Sequence, residues 1–168
     1  MSQKHQVFLS HSGRDADRAT QFAATLEKEL IGLGHDVEVF NTSEPEHRYT
    51  GLQKLLNAGE DWRARAQEYE EELRSYLRGH LEKSSAFLAL VTPKSLAAAS
   101  RVIEFEIDTA KAAANEQSSL FFFPCVADGA RLGALPEGAR EFQGIELDAE
   151  HGLERLLKAL DRALSAKQ

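Results

Sequence analysis

Ala86-Phe87-Leu88-Ala89-Leu90-Val91 runs without a single polar side chain. Successive side chains of a strand point to opposite faces, so a strand with one face in water alternates apolar and polar residues. A short run that is apolar throughout fits a strand covered on both faces, the situation of a central strand in a parallel sheet flanked by helices.

Working outward, the neighbouring segments repeat this logic. Gln6-Val7-Phe8-Leu9-Ser10 reads as a buried first strand. Ser12 and Asp15 then supply helix-start chemistry, and Ala19, Phe22, Ala23, Leu26 and Leu30 form an apolar face at helical spacing. Gly32 and Gly34 end that helix. Val37, Val39 and Phe40 open a second strand whose alternation is that of a position nearer a sheet edge. Asn41 to Asp61 carries no clear regular element beyond a turn around Leu52, Leu55 and Leu56, and a connection of this length is often functional. Trp62 to Lys83 reads as a charged, solvated helix with Ala66, Tyr69, Leu73, Tyr76, Leu77 and Leu81 on its inner face.

After the central run a helix is expected from about Lys94 to Asn115. Ser119 to Val126 is another buried strand with Pro124 near its end, Ile145 to Leu147 a weak last strand, and His151 to Ala166 a final amphipathic helix. In Phe121-Phe122-Phe123 nearly every ring is expected in the core, and Cys125 is expected to be buried and inert. Alternating strands and helices imply a parallel sheet with helices on both faces. The expected architecture is a flavodoxin-like three-layer α/β sandwich of about five strands in the order 2-1-3-4-5. Ligands of such sheets bind beyond the carboxyl ends of the strands where the order reverses. Here that point lies between Ser10-His11-Ser12 and Thr92-Pro93.

The bulk numbers narrow the function. The 168 residues suffice for one domain with a real core, and 42% hydrophobic with 28% charged residues is the make-up of a folded soluble protein. With 27 acidic against 20 basic residues the net charge is −7, which argues against a broad nucleic-acid or anionic-membrane surface. A single cysteine excludes an intrachain disulfide. No apolar run approaches membrane-spanning length and no signal-peptide core opens the chain, so a cytoplasmic location is expected. No Cys/His spacing points to zinc, and neither GxGxxG nor a phosphate-loop motif is present.

One residue in the helix expected from about Lys94 to Asn115 stands out. In Ser100-Arg101-Val102-Ile103-Glu104-Phe105-Glu106-Ile107-Asp108-Thr109-Ala110, the helical neighbours of Glu106 are Val102, Ile103, Thr109 and Ala110. Those of Glu104 are Ser100, Arg101, Ile107 and Asp108, a mainly polar set. Glu106 therefore lies in the apolar stripe, where a carboxylate needs a partner or a task. A partly exposed helix-border glutamate is the plain alternative.

Four segments in order resemble a Toll/interleukin-1 receptor (TIR) domain, particularly its prokaryotic branch. They are Val7-Phe8-Leu9-Ser10-His11-Ser12 with Asp15; Val39-Phe40 followed by Gly59-Glu60-Asp61-Trp62; Leu88 to Leu96; and Ser100 to Ala110. The resemblance spans about residues 5 to 165 and places the family's active-site glutamate on Glu106. Two departures are visible: Val102 stands where the family often has tryptophan, and the segment from Asn41 to Gly59 exceeds a common BB loop.

The resemblance implies an NAD+ glycohydrolase or cyclase, with NAD+ as substrate, no cofactor and no metal. It also implies self-association or pairing with other TIR domains, and in the prokaryotic branch a place in antiphage defence. Substrate contacts are assigned to Ser10, His11, Ser12 and Arg14 beside a helix start, whose N–H groups favour phosphate, and to Trp62 by stacking. Each has a plainer alternative: N-capping for Ser12, a hydrogen-bonded loop position for His11, a solvated first turn for Arg14, a sheet anchor for Trp62. The competing functions are a non-catalytic assembly domain and an enzyme similar to nucleoside deoxyribosyltransferases or nucleotide N-glycosidases.

Overall fold

The computed structural model describes residues 4–11, 15–41, 71, 75–76, 78–94, 112, 121–135, 142 and 144–166. Five strands form one sheet: β1 (His5–His11), β2 (Val37–Asn41), β3 (Ala86–Val91), β4 (Phe121–Val126) and β5 (Ile145–Glu146). Their order is β2-β1-β3-β4-β5 and every pairing is parallel. The sheet order and the parallel sense are those expected from sequence. Helix α1 (Ala16–Gly32) joins β1 to β2, and α2 (Gly152–Ser165) follows β5.

The two faces of the sheet carry different cores. On one, Val7, Leu9, Val39, Leu88, Leu90 and Cys125 meet Phe22, Leu26 and Leu30 of α1 and Leu156, Leu160 and Leu164 of α2. On the other, Phe8, Phe40, Phe87, Ala89, Val91 and Phe122 meet Leu81, from the helical residues 78–83, and Leu135. This second face is built around a row of rings. The parallel register sets Phe40 beside Phe8, Phe8 beside Phe87 and Phe87 beside Phe122. Ring centroids along the row are 5.1, 5.3 and 5.1 Å apart, and Phe142 continues it at 4.5 Å from Phe122. His80 stacks on Phe40 at 4.1 Å and closes the other end. Rings at these separations contribute about 0.5–1.5 kcal/mol per pair beyond their burial. Of the three consecutive phenylalanines, Phe122 and Phe123 are buried, one on each face, and Phe121 is partly exposed.

Local chemistry explains the element ends. Gly34 at φ +96 takes the left-handed position after α1. Its N–H bonds to Ile31 O at 2.9 Å, and that of His35 bonds to Leu30 O at 3.1 Å, the pair of bonds that closes a Schellman cap. His35 Nε2 then meets Asp161 Oδ1 at 2.7 Å, tying this turn to α2. Pro124 is tolerated inside β4 for a geometric reason. The N–H of Phe121 bonds to Ser85 O, whereas Val126 O accepts from Leu147, so even-numbered residues of β4 face β5. Pairing with β5 begins only at Cys125, so the missing proline N–H falls where no ladder bond is required. Gly152 lets α2 start against the preceding backbone, because a Cβ there would collide with the carbonyl oxygen of Glu146.

Phe8→Ala removes the ring at the crossing of three strands and is expected to cost about 3–5 kcal/mol in urea unfolding. Gly34→Ala, which forces a side chain into the left-handed region, should cost about 1–2 kcal/mol in the same measurement.

Candidate functional site

The chain leaves β1 toward β2 on one side and β3 toward β4 on the other, so the strand order reverses between β1 and β3, the place where sheets of this order receive ligands at their carboxyl ends. Polar side chains that are almost wholly buried gather there: His11, Asp15, Asn41 and Thr92 on the α1 side, with Ser10 nearby. Buried polar groups are costly unless bonded, and here the bonds form two short systems.

The first system runs from α1 to β1. Thr20 Oγ1 donates to Ala16 O at 2.9 Å, which leaves its oxygen to accept from Asn41 Nδ2 at 3.4 Å. Asn41 Oδ1 is thereby turned to His11 Nε2 at 2.8 Å. This chain assigns a hydrogen to His11 Nε2. The second system joins the loop after β1 to the loop after β3. Thr92 Oγ1 donates to the Asp15 carboxylate, at 2.8 Å from each of its oxygens. At the rim Arg18 approaches Asp128 at 3.5 Å, an exposed pair that adds little.

Ser10 and His11 are consecutive in β1, so their side chains leave opposite faces of the sheet. His11 faces α1 and its bond to Asn41, whereas Ser10 lies on the side of the phenylalanine row. The structure therefore brings His11 together with Asn41 and not with Ser10. Ser12, Arg14, Trp62, Glu104 and Glu106 lie outside the described residues. Asn41, Asp15 and Thr92 were not among the sequence-assigned site residues. Asn41 carried a signal, as an amide ending an otherwise apolar strand face. Asp15 reads as a helix-start residue and Thr92 as the end of the third strand, and only folding shows that they meet.

A groove of about 480 Å³ lies beside this edge, between α1 and β2, with Lys4, Glu27, Glu38 and Asn41 in its wall. Three of its four charged side chains are engaged with one another or with backbone. Lys4 Nζ is 3.3 Å from Glu38 Oε2, and Glu27 Oε2 accepts the outward N–H of Val39 at 3.1 Å, which blunts the sheet edge. Asn41, bonded to His11, is shared between this groove and the carboxyl edge of the sheet. Among the described residues no cluster of His, Cys, Asp or Glu could hold a metal ion, and no helix is long and apolar enough to cross a membrane.

Comparison with known proteins bears on the fold. No family profile matches the chain and no curated protein matches it in sequence. Among solved structures it is similar to a metazoan TIR-STING receptor from C. gigas, determined in complex with 2′,3′-cGAMP. The TM-score is 0.54 at 17% identity, over 95% of this chain. The fold is TIR-like. This chain spans 39% of that receptor's length. A putative pilus assembly protein from Burkholderia thailandensis is also similar, with a TM-score of 0.46, 15% identity and coverage of 96% of this chain and 98% of the other. That score is too low to bear on the assignment.

In this TIR-like sheet Cys125 is fully enclosed, and burial pushes its thiol up to about 12. The thiolate is the reactive form, so native protein at pH 8 should resist a soluble disulfide reagent and react stoichiometrically once unfolded in urea. The same shift lowers stability as pH rises from about 9 to about 12, because the unfolded thiol ionises in that window and the native one does not. Asn41→Ala leaves the buried His11 Nε2–H without this acceptor, and urea unfolding should register a loss of about 1–3 kcal/mol.

Proposed function

We propose that this chain is an NAD+ glycohydrolase or cyclase of the TIR type, acting through Glu106. The observation that carries the reading is a carboxylate in the apolar stripe of the Ser100–Ala110 segment, at the position of the family's glutamate, in a chain whose fold is TIR-like. The buried polar groups at the switch point support it, since that edge is where sheets of this order receive nucleotides.

The chemistry needs few groups. Nicotinamide in NAD+ is a cationic leaving group and departs without a general acid. Breaking its bond to ribose builds positive charge on the sugar, as in glycoside hydrolysis. A carboxylate held close in a water-poor site stabilises that charge and accepts hydrogen bonds from the ribose hydroxyls. Attack by water gives ADP-ribose and a proton; attack by a nucleophile within the same molecule gives a cyclic isomer. Glu106 takes this role and Glu104, on the polar side of the same segment, does not. No cofactor or metal is invoked. His11 and Ser10, with Ser12, Arg14 and Trp62, remain the proposed substrate contacts.

Self-association through TIR–TIR contacts belongs to the same proposal, as do a cytoplasmic setting and a role in bacterial antiphage defence. Neither a nucleic-acid nor a membrane surface is part of it. The competing reading is an assembly domain without chemistry, and the long Asn41–Asp61 connection is the feature that favours it.

Chromatography of NAD+ incubated with concentrated, crowded protein is the test. Nicotinamide should be released by the parent, slowed about 10²–10³-fold in Glu106→Ala of confirmed fold, and little changed in Glu104→Ala. The reverse order of the two variants, or release unaffected by both, would sink the assignment. Turnover per molecule should also rise with protein concentration; a flat profile would separate catalysis from assembly.

A further inference from the structure

We propose that the groove between α1 and the outer edge of β2 docks an extended, lysine- or arginine-bearing segment of a partner protein, which joins the sheet as a further strand. This surface is independent of the NAD+-cleaving reading above. β2 ends the strand order, and among the described residues no strand pairs with its outer side. Successive residues of a strand turn their backbone groups to opposite sides. Asp36 O accepts from the N–H of His5 at 2.7 Å, so residues 36, 38 and 40 face β1. The backbone groups of Val37, Val39 and Asn41 therefore point outward, in keeping with the bond from Val39 N–H to Glu27. Such a row of donors and acceptors is the template on which an extended peptide adds to a sheet.

The groove beside that row has the dimensions and lining of a strand site. The five residues of β2 give it a length of about 17 Å, at about 3.3 Å per residue. Ala23 and Ala24 of α1 line it beside Val37 and Val39. Its helix wall is thus made of methyl groups, which leave room for the branched side chains that strands favour. The bond from Val39 N–H to Glu27 is a stopper that an incoming strand can displace. A carbonyl of the added strand takes the N–H, and the released carboxylate turns to a cationic side chain of the same strand. One hydrogen bond is exchanged for another, and a charge-assisted pair is gained.

Charge selects the occupant. Glu27, Asp36 and Glu38 line the groove against one cation, Lys4. Lys4 pairs with Glu38, and among the described residues no cation pairs with the exposed Asp36. An acidic strand would set like charges side by side, whereas a basic one meets opposite charge along the groove. The same argument disfavours a second copy of this chain. Pairing two β2 edges about a twofold axis would bring the two acidic edges together, in a chain of net charge −7.

The test is fluorescence anisotropy of a labelled, end-capped peptide of alternating valine and lysine, long enough to span β2, titrated with the full chain. Saturable binding is expected, about tenfold weaker when glutamate replaces lysine in the peptide. Asp36→Lys and Glu27→Gln, each with its fold checked by circular dichroism, should weaken binding about 3–10-fold, and Lys4→Glu should tighten it. N-methylating one alternate set of peptide amides should abolish binding, while methylating the other set should leave it. A lysine peptide that does not bind, or whose binding ignores all three charge variants, overturns the site. Equal effects of the two methylated sets overturn strand addition. Hydrogen exchange across Val37–Asn41 should slow about tenfold with peptide bound. Unchanged exchange puts the peptide elsewhere and sinks the assignment. Parent protein that dimerises by itself and is dissociated by the peptide makes a second copy the occupant and overturns the basic partner.

Discussion

The row of phenylalanine rings across the sheet is the constraint on which the rest of the molecule depends. Phe40, Phe8, Phe87 and Phe122 belong to four different strands and touch only if those strands are parallel, in this order and in this register. A slip of one residue would turn each ring to the opposite face. Because β3 is apolar along its whole length, periodicity within that strand says nothing about which side is which. The rings supply the missing distinction: large aromatic groups line one face, and aliphatic side chains meet α1 and α2 on the other.

That division carries through to the carboxyl edge. His11 and Asn41 fall on the helix face by strand alternation and are oriented by Thr20 of α1, the helix that packs against that face. Ser10, one residue earlier, is sent to the aromatic side. The carboxyl edge of β1 therefore sets the amide–imidazole pair on the helix face and Ser10 on the other. At the opposite edge the contacts are structural ties: His5 Nδ1 meets Ser85 Oγ at 2.9 Å, and His35 meets Asp161. Polar residues are buried at both ends of the sheet, but only those at the carboxyl ends sit where the strand order reverses. Position in the topology, more than polarity itself, separates a candidate site from a clasp.

Much of the fold was legible before folding. The apolar run at Ala86–Val91 coincides with β3, and the residues read as the inner face of α1 are those that are buried. The last strand was recognisable only weakly, because Ile145–Glu146 is two residues long and is held as much by Gly144 and Gly152 packing as by its own pattern. The site was less legible. His11 could be placed at the end of β1 from its apolar neighbours, yet its partner Asn41 lies thirty residues away. Asp15 reads as a helix cap, and in the structure it is one by position, while its carboxylate serves another element.

The sequence by itself determined the alternation of strands and helices, the sheet order and the buried stripe of α1. These follow from local spacing, which the chain carries whatever its tertiary contacts. Only the tertiary structure decided that Ser10 and His11 part to opposite faces, that Asn41 sets the ring of His11, and that Asp15 and Thr92 meet. Each of these pairings joins residues far apart in the chain. A hydrogen bond between such groups depends on where the strands and helices finally sit, and no pattern within one segment records it.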